Sequence, residues 1–354
     1  MRKRLISLDL IRILATFSIL LFHYDVYCTT AGVETPHVYR FIFASGNLGD
    51  IGVSLFFILS GASLMLSYER SGGNLAVYWK HRFVSIYPLF WSCFAAMYLY
   101  CYKLRHFPVT YPKWTLLLSF LGFDGYLYYR IPSYALVGDW FVGAIILMYV
   151  LFPLLYRCVR KHPVLTLLVV AVLYVPYVKW YPFAMDIGRF PLTRIPDMLA
   201  GMYWVEWFYH RKEKKQLRTD CPWYVGVPAL VLFGLSLFVQ LPFAGTYRSL
   251  WMGVSAFLGF SWLLSFFEAL PEKVHLLIGA LSGSTYAVFL IHHTPIGDFA
   301  GLYERGIPIF RHPHFLFWFY VVLVTLAGVI MKYLTTWALR PAYGLWHRWK
   351  RRAR

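Results

Sequence analysis

The chain has 354 residues, of which 59% are hydrophobic, 20% aromatic and only 14% charged, with a formal net charge of +18. That balance, with a positive mean hydropathy, belongs to a multi-span membrane protein and excludes an ordinary water-soluble domain. The positive charge does not indicate nucleic-acid binding, because Lys and Arg cluster between and after apolar segments as they do in the cytoplasmic loops of membrane proteins.

About ten apolar segments of helix length are predicted, near residues 6–27, 49–68, 84–104, 137–156, 164–181, 195–209, 223–243, 248–267, 276–293 and 315–338. The expected fold is all-α, a polytopic bundle of about ten transmembrane helices forming one integral-membrane domain over residues 1–354. With the N-terminus inside, the inner loops hold roughly twice as many Lys and Arg as the outer ones. They include Arg2-Lys3-Arg4, Arg157 to Lys161, Arg211 to Arg218 and Arg348 to Arg354. Both termini are therefore expected in the cytoplasm, with the chain in the plasma (inner) membrane among membrane lipids.

The first segment, LDLIRILATFSILLFH at 8–23, carries an Asp, an Arg and a His where a span usually carries none. It is too long for a cleaved signal peptide, and no small-residue cleavage pattern follows. On a helix each residue turns about 100° and rises about 1.5 Å, so Arg12 and His23 fall within roughly 20° of one face and about 16 Å apart. Asp9 and Thr16 continue the same stripe. Ionisable groups at membrane depth normally face a protein interior or a wet cavity, so this ridge is read as lining a site.

In the second segment, GVSLFFILSG at 52–61, the small residues Gly52, Ser60 and Gly61 are first of all packing residues. The loop that follows carries Lys80, His81 and Arg82 just before the third span, with Pro88 inside that span. Such a basic cluster more often sets topology than binds a phosphate group, and Arg12 at the same membrane face adds weight to the second use, because two arginines could clamp an anionic ligand. The longest outer connection, roughly 105–136, is rich in Tyr, Gly and Pro. It either dips back to cover a site or anchors at the interface. Asp139 and Trp140 open the fourth span, where Trp140 is an interfacial anchor or a stacking face for a sugar. His292 ends the ninth span near the level of His23, with Thr285 on nearly the same helix face and His293 as a solvated neighbour. Cys28, Cys93, Cys101, Cys158 and Cys221 show no metal-like spacing and make an odd count, so neither a metal nor a disulfide framework is expected.

These residues together resemble acyltransferase family 3, membrane O-acyltransferases that modify bacterial cell-surface polysaccharides and lipids. The resemblance rests on Arg12 and His23 with ten residues between them, preceded by Leu8-Asp9; on GVSLFFILSG at 52–61; and on Arg82 followed by Tyr87-Pro88. It continues through WFVGAIILMYVLFP at 140–153 and STYAVFLIHH at 284–293, so it runs over nearly the whole chain in order. There are two departures: Ser85 stands where many members carry a second Arg, and Ile145 where many carry a Glu.

The resemblance implies ten core spans and transfer of an acetyl or other short acyl group from acyl-CoA to a sugar or lipid-linked glycan acceptor, without a metal. Acyl transfer to an alcohol needs a base for the hydroxyl proton and a group to hold the developing oxyanion. His23 is the expected base, or a transient acyl carrier. Arg12 with Arg82, Lys80 and His81 would hold the coenzyme A phosphates, and Asp9 would orient Arg12. His292, Trp140 and Tyr286 are the acceptor-binding candidates. The alternative is a transporter or flippase for a lipid-linked glycan or small anionic solute, with His23 titrating in a passage. No internal repeat of the kind such proteins often show is visible. The acceptor, the acyl chain and the oligomeric state are not encoded in any motif.

Overall fold

The computed structural model describes residues 5–30, 42–215 and 219–352, with side chains described except at 213–215 and 341–352. The predicted inner-loop residues Arg2, Lys3 and Arg4, together with 216–218, lie outside the described residues.

Helix α1 (Ile6–Thr30) runs unbroken through the polar ridge, since nothing between Ile6 and His23 is Gly or Pro. Asn47 caps α2 (Leu48–Arg70), its side chain accepting from the Asp50 amide at 2.9 Å. Gly72 and Gly73, both with left-handed φ, turn the chain into α3 (Leu75–Tyr98), where Asn74 repeats the cap on Val77. Helix α3 continues as a π-turn, Leu99–Leu104. The short α4 (Leu116–Leu121) and α5 (Asp124–Leu127) follow, and then α6 (Asp139–Lys161). Pro163 and Pro191 start α7 (Pro163–Lys179) and α8 (Pro191–Trp204), where their missing N–H leaves no helix bond unmade. A π-turn, Val205–Tyr209, links α8 to α9 (His210–Lys215). The remaining helices are α10 (Trp223–Phe238), α11 (Gly245–Leu263), α12 (Glu272–Ser282), α13 (Thr285–Ile291), α14 (Ile296–Glu304) and α15 (Pro313–Arg352).

Among the described residues the fold is helical, with a single isolated bridge between Ile42 and Asn47. Seven helices among the described residues are long and apolar enough to cross a membrane: Ile6–Thr30, Leu48–Arg70, Leu75–Leu104, Asp139–Lys161, Gly245–Ala269, Glu272–Ile291 and Pro313–Arg340. The expected count of about ten is not reached by this measure. The segments expected at 164–181 and 223–243 form the shorter apolar helices α7 and α10, and the one at 195–209 is α8 with its π-turn.

The helices meet at glycines. A methyl group on Gly61 would collide with the Met198 carbonyl, and one on Gly201 with the Ile58 carbonyl, so α2 and α8 touch backbone to backbone. Gly52 does the same for α2 against Ala15 and Ile19 of α1. Gly52 and Gly61 are thus packing residues, as their size predicted. One buried cluster joins α1, α2, α6, α8 and α11; a second joins α1, α3, α13, α14 and α15. Helix α1 belongs to both, which seats its ridge between them.

The long connection between α3 and α6 folds back along α3. Trp91 donates to the Phe120 carbonyl at 2.9 Å and Tyr87 to Leu121 at 3.2 Å, while Trp91 and Phe120 stack at 4.6 Å. Tyr87 is in the middle of α3, so the segment dips alongside the bundle instead of resting at its end.

Candidate active site

The ridge of α1 faces protein. Near one end, Arg12 donates through Nη1 to Asp9 Oδ1 at 3.1 Å and to Ser282 Oγ at 3.0 Å, and through Nη2 to Ser63 Oγ at 3.4 Å. Ser282 in turn donates to Asp9 Oδ1 at 2.6 Å. Asp9 is buried while the Arg12 side chain keeps 28% exposure, so a buried carboxylate holds a partly buried cation. Charge-assisted bonds of this kind fix direction as well as charge. Ser282 ends α12, and Gly283 and Ser284 break the helix before α13 begins.

About three turns further along α1, the His23 ring lies 5.1 Å from the His292 ring and 5.1 Å from the His293 ring. His292 is buried, and its Nδ1 lies 2.6 Å from the Phe289 carbonyl oxygen. A carbonyl only accepts, so Nδ1 carries the proton and Nε2 is left as a bare acceptor. That Nε2 is buried and has no hydrogen-bond partner among the described residues. The His292 carbonyl accepts from Tyr320 at 2.9 Å, which pins the residue from behind. Thr285, on the same helix face, bonds back to Ser282 at 2.7 Å and is satisfied locally.

The other predicted residues fall into two groups. Arg82 stands over the Tyr78 and Tyr149 rings at 5.9 and 5.6 Å and lines a cavity of about 290 Å³ with Trp79, Tyr87 and Tyr149. Tyr286, on the first turn of α13, lies within electrostatic range of Tyr149 and Tyr87, and its hydroxyl is buried without a partner among the described residues. Lys80 and His81 are exposed on the first turns of α3. Trp140 packs half-buried against the core, 6.0 Å from the Phe141 ring, on the first turn of α6. The loop before it reaches the histidine end through the Gly138 amide on the Leu290 carbonyl at 3.2 Å. Ser85 bonds back to the Arg82 carbonyl, and Ile145 is in the core.

Ser63, Ser282 and Arg189 were not singled out in the sequence, and His293 was read there only as a solvated neighbour of His292. His293 is exposed, as expected, but it also borders His23. Arg189, on the turn Ile187–Arg189, lies within electrostatic range of His23 and has no carboxylate partner among the described residues. The His-His pair was a visible signal for His293; the serines carried none. Between the two ends, Phe56, Phe141 and Phe289 pack on one another at 5.1–6.0 Å. A cavity of about 490 Å³ beside Phe22 opens at the His23 end, lined by Asn47, Asp50 and Arg248.

A fixed cation at one level of a membrane bundle and a bare imidazole nitrogen at another suit the movement of a group from an anionic carrier to a hydroxyl, the work of a membrane acyltransferase. Comparison with known proteins agrees: the profile of the family 3 acyltransferase domain matches residues 5–337, and the chain belongs to that family. Over 152 residues it is 32% identical to acyltransferase MdmB of Streptomyces mycarofaciens, an alignment covering 37% of this chain and 36% of that relative. The chain thus spans about a third of the length of the curated relative it matches. No solved structure matches it. Membership of that family supports the reading of an acyltransferase over that of a transporter or flippase.

Proposed function

We infer that the enzyme moves an acetyl or other short acyl group from acyl-CoA to a hydroxyl of a cell-surface polysaccharide or glycolipid, in an inner membrane crossed about ten times with both termini cytoplasmic. The observation that carries the reading is the division of α1 into a cation held by Asp9 and Ser282 and, about 16 Å along the axis, an imidazole among other imidazoles. That distance suits an extended pantetheine arm. Arg12 and Arg82, assisted by Lys80 and His81, hold the phosphates of the donor, and the thioester reaches past Tyr286 toward His23. The acceptor enters by the cavity of Asn47, Asp50 and Arg248, whose side chains suit sugar hydroxyls.

The acceptor oxygen attacks the thioester carbonyl as His23 takes its proton. The carbon–sulfur bond then breaks, and the imidazolium returns the proton to the leaving thiolate, so no proton is left on the enzyme. His292 Nε2, held in place by Phe289 and Tyr320, accepts a hydrogen bond from a hydroxyl of the acceptor and orients it. Trp140 at the mouth stacks on a sugar face.

The test is mass spectrometry of surface glycans and lipids from cells carrying the wild type, the His23→Ala variant or neither. Loss of one acyl mass from a defined species in the latter two identifies acyl group and acceptor. His23→Ala should lower transfer by about 10²–10⁴-fold with the protein still inserted. Unchanged acylation in that variant removes His23 from the chemistry.

A further inference from the structure

From Ile51 to Tyr68 every residue of α2 is buried except Val53, Phe56, Ser60, Ser63 and Ser67, which are half-exposed. Their spacing of three and four residues places them on one helix face. That face looks at other helices. Ser63 accepts from Arg12 at 3.4 Å, and the Phe56 ring packs on Phe141 of α6 at 5.9 Å and on Phe289 of α13 at 6.0 Å. The partial exposure therefore marks a groove left inside the bundle. Gly49 meets Phe22 and Gly52 meets Ile19, so α2 runs antiparallel to α1, and Phe56 sits between the level of Arg12 and that of His23. It is about 10 Å along α2 from Ser63.

Rings close this groove. Phe141 and Phe289 are buried and pack on each other at 5.1 Å, so with Phe56 they form a triangle drawn from three helices. Aromatic rings at these spacings are in contact and leave no gap for a further methylene unless one of them moves. Phe289 also lies 5.6 Å from the His292 ring, and its carbonyl oxygen is 2.6 Å from His292 Nδ1. The His292 ring is in turn 5.1 Å from that of His23, and its buried Nε2 has no partner among the described residues. The triangle thus borders the imidazoles on one side and the groove from Arg12 on the other.

We propose that Phe56, Phe141 and Phe289 are the stop that sets the length of the transferred acyl group, so that the enzyme takes acetyl and rejects longer chains. This rests on the reading of acyl-CoA as the donor. A thioester extending from Arg12 brings its carbonyl to His23, and the carbon chain beyond that carbonyl meets the three rings. The acetyl methyl ends short of them. Each added methylene must push a ring into a close-packed core, and an apolar pocket discriminates by about tenfold or more for one methylene. The rings act on specificity alone, and the proton transfers stay with His23.

The experiment is calorimetric titration of full-length detergent-purified protein, which needs no acceptor. The ligands are coenzyme A, acetyl-CoA, propionyl-CoA and butyryl-CoA. Wild type should bind acetyl-CoA and lose about tenfold in affinity with each added methylene. Two variants are checked for monodispersity: Phe56→Ala, whose ring is half-buried, and Phe289→Leu. At least one of them should bind butyryl-CoA about as tightly as acetyl-CoA, with acetyl-CoA itself unaffected. Phe233→Ala removes a ring that packs on Phe260 at 5.6 Å in another part of the bundle, and it should keep the wild-type order. Equal affinity of wild type for all three thioesters would overturn the stop and leave the donor standing. So would the wild-type order in both ring variants, or the same relaxation in Phe233→Ala. Folded wild type that binds none of the four ligands would overturn the donor, and the stop with it.

Discussion

Ser282→Ala removes a single hydroxyl from the point where α1, α2 and α12 meet. Asp9 Oδ1 loses a donor at 2.6 Å and Arg12 Nη1 an acceptor at 3.0 Å, while the direct Asp9–Arg12 contact at 3.1 Å remains. Hydrogen bonds to ionised groups contribute about 1.5–3 kcal/mol. Because the two charges still compensate each other, about 2 kcal/mol of stability should be lost, well short of what an uncompensated buried charge costs. Arg12 keeps its contacts with Asp9 and Ser63, so binding of the proposed acyl-CoA donor should weaken by about 1.4 kcal/mol, a tenfold rise in its KM. Binding lost equally from ground state and transition state leaves kcat in place. The assay follows release of the coenzyme A thiol by purified protein, with a thermal melt in the same detergent. Ser284→Ala is the control, since that hydroxyl only bonds back to Ala280 at 3.0 Å, and it should change neither quantity. An unaltered KM in Ser282→Ala would refute the assignment of Arg12 to the donor. A collapse of kcat at constant KM would move the cluster from binding to chemistry.

Gly201→Ala places a methyl group against the Ile58 carbonyl and should lower stability by about 3 kcal/mol, the upper end for overpacking, because backbone cannot yield as a side chain does. A thermal melt within a degree of wild type would contradict the close α2–α8 crossing. Lys212 joins buried Asp220 at 2.5 Å and Glu268 at 3.1 Å, while Asp220 also accepts from Ser7 of α1. Lys212→Met strands that carboxylate and should cost about 3–5 kcal/mol, with partial recovery when Asp220→Asn is added; equal melting of the single and double variants would disprove the coupling. Burial raises the carboxyl pKa of Asp124 in the connection between α3 and α6, so the folded state holds this proton more tightly than the unfolded chain. Stability from this group should fall as pH rises from the ordinary carboxylate range through the raised folded value. Asp124→Asn should flatten that part of a melting-temperature profile, and an unchanged slope would count against it.

Much of the site could be read along the chain because helix geometry is local. The phase relation of Asp9, Arg12, Thr16 and His23 follows from backbone sterics alone, and α1 keeps it from Ile6 to Thr30. The glycines at 52 and 61 were legible as contact points, since in an apolar helix a missing side chain has few other uses. The span count was less secure: α7, α8 and α10 are helices, but each is too short for length and hydropathy to mark it as a crossing.

What the sequence determined by itself is the membrane class, the helical character and the ridge that carries a guanidinium and an imidazole on one side. What only the tertiary structure decided is the company those groups keep. Ser63 and Ser282 reach Arg12, His292 and His293 reach His23, and Phe56 meets Phe141 and Phe289, all across long stretches of chain. Those meetings depend on how far one helix slides and turns against another, which is fixed where backbones touch at Gly61 and Gly201. No residue periodicity records that offset, because it is a property of pairs of helices and not of either one.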